Sequence, residues 1–188
     1  MKVRDSGMPD VATWDGFFDP VAVLGALVFD PHADVVDFGS GYGTFTVAAA
    51  RMTTGTVYAV DVDPAMVAAT SARATALGLG NVRVVERDFE SAGVGPADSS
   101  VGYAMLFNVL HAVDPMPMIR ESCRVLKPAG RLAVIHWIHD ASTPRGPELA
   151  IRPRADQCRQ WLEDAGCEIW IPFVDLPPWH FGVVGERR

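Results

Sequence analysis

Positions 37 to 43 read Asp-Phe-Gly-Ser-Gly-Tyr-Gly, with Gly39, Gly41 and Gly43 directly behind the valine-rich stretch 33–38. Glycine at such a strand-to-helix turn lets backbone approach a ligand more closely than any side chain would allow, and the helix that follows aims its free N–H groups and positive dipole end outward. Asp61 stands eighteen residues after Gly43, closing a second valine-rich stretch at 57–60. There an open α/β sheet offers a carboxylate to the two hydroxyls of a ribose. The next acid, Asp63, precedes Pro64 and serves as a helix cap, which leaves Asp61 free for a ligand. The glycine spacing departs from the G-x-G-x-x-G of dinucleotide sites, because Gly43 is followed by Thr44 and Phe45. Asp37 would repel a pyrophosphate but tolerates a ligand bearing an ammonium and a sulfonium. A nicotinamide-dependent oxidoreductase is therefore the weaker reading of this turn.

The elements that must hold these residues alternate between strand and helix, which predicts one α/β domain with a doubly wound, mostly parallel sheet. Expected strands are 33–38, 57–60, 82–85, 101–106 and 132–137, the fourth central because it is almost wholly apolar. Expected helices are 21–29, 44–52, one from Pro64 to near Gly78, 116–126 ending at Lys127-Pro128-Ala129-Gly130, and one opened by Pro153. Two closing strands, 168–175 and 181–185, read as an antiparallel hairpin at the sheet edge, with 138–153 as the longest loop. The division is an N-terminal segment with a leading helix at 1–32, able to act as a lid, and a ligand-binding domain at 33–188.

The chain of 188 residues, 49% hydrophobic and 21% charged, is long enough for one well-filled core. A net charge of −7 with scattered Lys and Arg argues against nucleic acid as the main partner. The three cysteines, Cys123, Cys158 and Cys167, form no C-x-x-C pair and are expected to be reduced, mostly buried thiols; no metal site is expected. No apolar run approaches the roughly 20 residues that span a bilayer, and with no secretion-like leader the expectation is a cytoplasmic monomer or homodimer.

Five segments in order, VVDFGSGYGTFT (35–46), VYAVDVDPAM (57–66), VVERDFE (84–90), YAMLFNVLHAVDP (103–115) and RESCRVLKPAGRLAVIHW (120–137), are similar to the motifs of class I S-adenosylmethionine-dependent methyltransferases. The resemblance is to small-molecule enzymes such as those of ubiquinone and menaquinone biosynthesis. It implies a Rossmann-like seven-stranded sheet with an antiparallel last strand, and S-adenosylmethionine as cofactor. It further implies that the loop Gly39, Ser40, Gly41, Tyr42, Gly43 contacts the methionine part and that Asp61 holds the ribose. Val62 and Met66 would flank the adenine, Asp88 would accept from its amino group, and the Phe89 amide would donate to its ring. A carbonyl near Phe107 and Asn108 would take the methionine ammonium.

The departures concern the acceptor. Where many relatives carry two adjacent histidines, this chain has His111 followed by Ala112, and the turn Pro-Gly-Gly becomes Pro128-Ala129-Gly130. A general base is needed only when the attacking atom holds a proton, and His111, His136 and His139 are the candidates, His111 first. Trp14, Phe17, Phe18, Trp137, His111 and His139 are the candidate walls of the acceptor pocket. The segments 8–18 and 138–151 are the expected lids. A cofactor-binding subunit without activity of its own would share all these features.

Overall fold

The computed structural model describes residues 9–188, so residues 1–8, with Met8 at the start of the expected lid segment 8–18, lie outside the described residues. Two short helices lead in, α1 (Val11–Asp15) and α2 (Pro20–Ala26), each capped by the aspartate before it, Asp10 and Asp19. Then follow β1 (Val35–Phe38), α3 (Thr44–Met52), β2 (Val57–Asp61), α4 (Pro64–Ala76), β3 (Val82–Glu86), α5 (Phe89–Ala92) and β4 (Val101–Phe107). The chain closes with α6 (Met116–Val125), β5 (Leu126–Trp137), α7 (Ala155–Asp164), β6 (Cys167–Leu176) and β7 (His180–Arg187).

The seven strands order as β3-β2-β1-β4-β5-β7-β6, with the first five parallel and β7 inserted antiparallel between β5 and the edge strand β6. β4 is central, as its apolar run requires. Alternate residues of each inner strand feed two cores, the period-2 pattern of a sheet covered on both faces. On one face Val36, Phe38, Ala104, Leu106, Leu132 and Val134 meet Ile119 of α6 and Leu162 of α7. On the other, Val35, Tyr103, Met105, Ala133 and Ile135 meet Leu24 of α2 and Phe45 and Ala49 of α3. Leu24 and Leu27 are completely buried, so the chain ahead of β1 is part of the domain core. Tyr103 fastens it further, its hydroxyl donating to the Leu27 carbonyl at 2.9 Å.

Four local expectations change. The leading helix stops at Ala26 rather than at 29, because Val28 turns into the left-handed region at φ 52°. A one-turn helix, α5, stands at Phe89–Ala92, between the expected strands 82–85 and 101–106 where no helix was expected. Strand β5 begins at Leu126, so Lys127 to Gly130 form a bulge inside it and not a turn before it: Val101 pairs with Leu126, but Tyr103 pairs with Arg131. Ala129 takes φ 61° at the bulge. The cysteines are all buried thiols, yet Cys123 of α6 and Cys167 of β6 touch, their sulfurs 3.3 Å apart, a proximity that sequence spacing did not reveal.

Candidate active site

A cavity of about 620 Å³ opens at the C-terminal ends of β1, β2, β4 and β5, where Asp37, Asp61, Phe107 and Trp137 line it. This is the crevice where the strand order reverses between β1 and β4, the place such sheets hold ligands.

Its floor is the glycine turn. Gly39 (φ 69°) and Gly43 (φ 76°) both hold left-handed backbone, and a Cβ on Gly39 would come within 2.8 Å of Val109 Cγ1. Gly43 caps α3 without any side-chain hydrogen bond, so the first amides of that helix face the turn. Gly39, Ser40, Gly41 and Tyr42 line the cavity, whereas Gly43 is buried beneath them. Asp61 ties turn to strand: its Oδ2 accepts the Gly41 amide at 2.9 Å and its Oδ1 the Asp63 amide at 3.0 Å. An ionised carboxylate offers about four acceptor positions, so each oxygen retains capacity for a hydroxyl.

Asp37 is almost fully buried and receives one hydrogen bond, from Thr46 Oγ1 at 2.5 Å. Burial pushes its carboxyl up to about 7, against the lowering effect of the Thr46 bond, with the Asp61 charge adding to the rise. Across the crevice, both amide atoms of Asn108 and the Ser40 hydroxyl are buried with no hydrogen-bond partner among the described residues. Asn108 holds left-handed backbone at φ 59°, an orientation asparagine tolerates. Buried polar atoms without partners are costly, and both Ser40 and Asn108 line the cavity.

The opposite wall is aromatic. Trp14, from α1, and Trp137, from the end of β5, both face the cavity with ring centroids 6.4 Å apart. Phe45 and Phe107, 4.8 Å apart, continue that wall inward. Phe17 is placed behind Trp137, edge-on at 5.5 Å, and lines no part of the cavity. Phe18 packs likewise against Trp14 and Phe45.

Of the three candidate bases, His111 alone reaches the cavity. His136 is wholly buried behind it at 5.7 Å between rings, and burial first, then the neighbouring His111, His180 and Arg152, holds it well below the usual imidazole range. His139 turns away, its Nδ1 2.8 Å from the Arg152 carbonyl oxygen. The loop 138–151 likewise contributes nothing to the cavity lining. It is held from within by Arg152, whose buried guanidinium donates to Ile138 O, Asp140 O, Pro147 O and Thr143 Oγ1 at 3.0, 3.2, 2.7 and 2.5 Å.

Val62 and Met66 line the cavity as expected; Asp88 and Phe89 do not, and Phe89 packs edge-on against Phe38 at 5.3 Å. Asp63, Pro64, Thr44, Phe45, Val109 and Ala112 join the lining without having been singled out. His180 was also missed. It lies under Trp137 at 4.2 Å between rings, and burial, with the Arg152 charge second, pushes it down to about 3. Only the pairing of Trp137 with His180 across β5 and β7 brings it there.

The methyltransferase domain family matches residues 35–130, just over half of the chain. Among solved structures, an S-adenosylmethionine-dependent methyltransferase from Aquifex aeolicus is similar with a TM-score of 0.83 at 27% identity, covering 95% of this chain and 94% of that one. A putative type 11 methyltransferase from Sulfolobus solfataricus gives 0.69 at 23% identity, covering 88% and 89%. The [4+2]-cyclase SpnF gives 0.75 at 20% identity over 89% and 80%, a likeness of fold alone. No curated protein sequence matches the chain.

Proposed function

This chain belongs to the class I S-adenosylmethionine-dependent methyltransferases, and from that premise we propose that it methylates an uncharged small molecule held between Trp14, Trp137 and His111. The observation that carries the acceptor class is the cavity lining: Asp37, Asp61 and Asp63 face it, and among the described residues it contains no Lys or Arg. An anionic acceptor would lose water there without meeting a Lys or Arg to pair with. A flat or apolar acceptor gains burial against two indoles.

The residues present fit the cofactor, which supplies an electrophilic methyl group on its sulfonium. In this reading Asp61 receives the ribose hydroxyls, the turn from Gly39 to Tyr42 backs the methionine part, and Val62 and Met66 flank the adenine. Asp88 and the Phe89 amide bound the adenine end beyond β3. The Asn108 side chain, the backbone at Phe107 and Asn108, and Asp37 face the ammonium. His111 faces the acceptor's reacting atom and takes its proton where it has one. The aromatic wall keeps water out and aligns the acceptor with the methyl group.

Incubation with methyl-labelled S-adenosylmethionine and a metabolite extract, separated afterwards into anionic and uncharged fractions, tests this reading. Label is expected in the uncharged fraction, in a product heavier by one methyl group; label confined to anionic products would overturn the acceptor class.

A further inference from the structure

Helix α1 spans only Val11–Asp15, far short of the roughly 12 to 15 residues that make an isolated helix even marginal in water. Its place over the cavity therefore depends on what ties it down. Trp14 packs among aromatic rings, but its neighbour Asp15 reaches the other way, toward the cofactor half of the domain. Arg73, on α4, meets the Asp15 carboxylate with both guanidinium nitrogens, Nη2 to Oδ2 at 2.9 Å and Nη1 to Oδ1 at 3.2 Å. Thr44, the first residue of α3 and part of the cavity wall, completes the clasp: its Oγ1 donates to Asp15 Oδ1 at 2.6 Å while lying 3.3 Å from Arg73 Nη1. The Tyr42 hydroxyl adds a tie to the chain just ahead of α1, donating to the Pro9 carbonyl at 3.1 Å.

We propose that Arg73, which lines no part of the cavity, is a positioning residue for methyl transfer: by clasping Asp15 it holds α1, and with it Trp14, as the movable wall of the acceptor pocket. The inference rests on the assignment of that wall made above. It links the two halves of the site. Tyr42 belongs to the turn that backs the methionine part and Thr44 opens the helix directly behind it, so the clasp sets the acceptor wall against the element that registers the cofactor. The fork geometry matters, because two parallel N–H donors fix the direction of the carboxylate, which a single ammonium does not. Arg73 and Asp15 are each about one-third exposed, with side-chain accessibilities of 33% and 34%, so the clasp can open to water and salt weakens it.

The test compares the wild type with Arg73→Ala, Arg73→Lys, Asp15→Asn and the Arg73→Ala/Asp15→Asn double variant, using S-adenosylhomocysteine as the probe. Two rates are read: hydrogen exchange of the Trp14, Gly16 and Phe17 amides, and dissociation of the probe in stopped flow. Arg73→Ala should raise both about three- to tenfold while probe affinity stays within about threefold, since a wall that opens more often speeds entry and exit alike. Asp15→Asn should match it, the double variant should add nothing further, and Arg73→Lys should recover part of the loss. A variant destabilised throughout would instead show faster exchange in β4 and β5 as well, and would overturn a local clasp. Wild-type exchange and release rates in Arg73→Ala would also overturn it. If the wild type fails to bind the probe, the cofactor site is misplaced, and exchange in the free protein still decides the clasp.

Discussion

The Gly41 amide donates to the Asp61 carboxylate across the gap between turn and second strand, at 2.9 Å. One side chain thus supports the ligand-binding turn and faces the cavity beside it. Replacing Asp61 by Ala removes the proposed ribose acceptor, at a cost of roughly 2 to 4 kcal/mol, or about 30- to 1000-fold in affinity for S-adenosylhomocysteine. Calorimetry reads this directly. Unchanged affinity in Asp61→Ala would remove Asp61 from the cofactor site.

Asp37 sets two pH dependences of opposite sense. Its native carboxyl, pushed up to about 7, keeps a proton that the unfolded chain releases above 3.8. Between those two values the native state binds more protons, so unfolding free energy is highest at the acid end and falls as pH rises toward 7, by roughly 4 kcal/mol at most. A cationic ligand favours the ionised form, so cofactor affinity should fall as pH drops below about 7. Asp37→Asn should flatten both profiles, as read by denaturant titration and calorimetry across this range. Profiles identical to those of the wild type would show that Asp37 titrates elsewhere.

His111 and Trp137 should separate acceptor from cofactor. Substituting either by Ala is expected to leave S-adenosylhomocysteine affinity within a factor of a few. Loss of a base costs about 100-fold or more in kcat with an acceptor that must lose a proton, whereas loss of a wall raises KM. Steady-state kinetics with any acceptor found in the extract distinguishes the two. A His111→Ala protein that loses the cofactor but keeps its saturated rate would put the acceptor on the other side of the cavity.

Arg152 ties the loop 138–151 from within and the loop lines no part of the cavity, so we expect it to stay ordered without ligand, where its length alone suggested a mobile lid. Arg152→Met removes several hydrogen bonds at once, among them those to the buried Pro147 carbonyl; at about 3 kcal/mol this lowers Tm by roughly 6 to 12 °C. Exchange in this loop should be slow in the free wild-type protein and fast in the variant. Fast exchange in the unliganded wild type would restore the lid.

What the sequence made legible was local. Short apolar runs placed β1 through β4, the Asp-Pro caps placed α2 and α4, and glycine spacing with Asp61 located the turn. What stayed hidden was set by contacts distant in sequence. His180 approaches Trp137 only through antiparallel pairing of β7 with β5, and Cys123 meets Cys167 only once α6 and β6 are packed. Trp14 and Phe17 were indistinguishable as neighbours in one aromatic segment; the short helix α1 turns the first to the cavity and sets the second behind Trp137. Of the two expected lids, only the described part of the first has a residue at the cavity, and no composition signal shows that Arg152 ties down the second.

The most direct test of the whole account is a crystal structure of the protein with S-adenosylhomocysteine. The ribose should sit on Asp61, the amino group near Asp37 and Asn108, and the sulfur should face the space between Trp14, Trp137 and His111. A ribose away from Asp61, or a sulfur turned from that aromatic wall, would contradict the placement of both cofactor and acceptor.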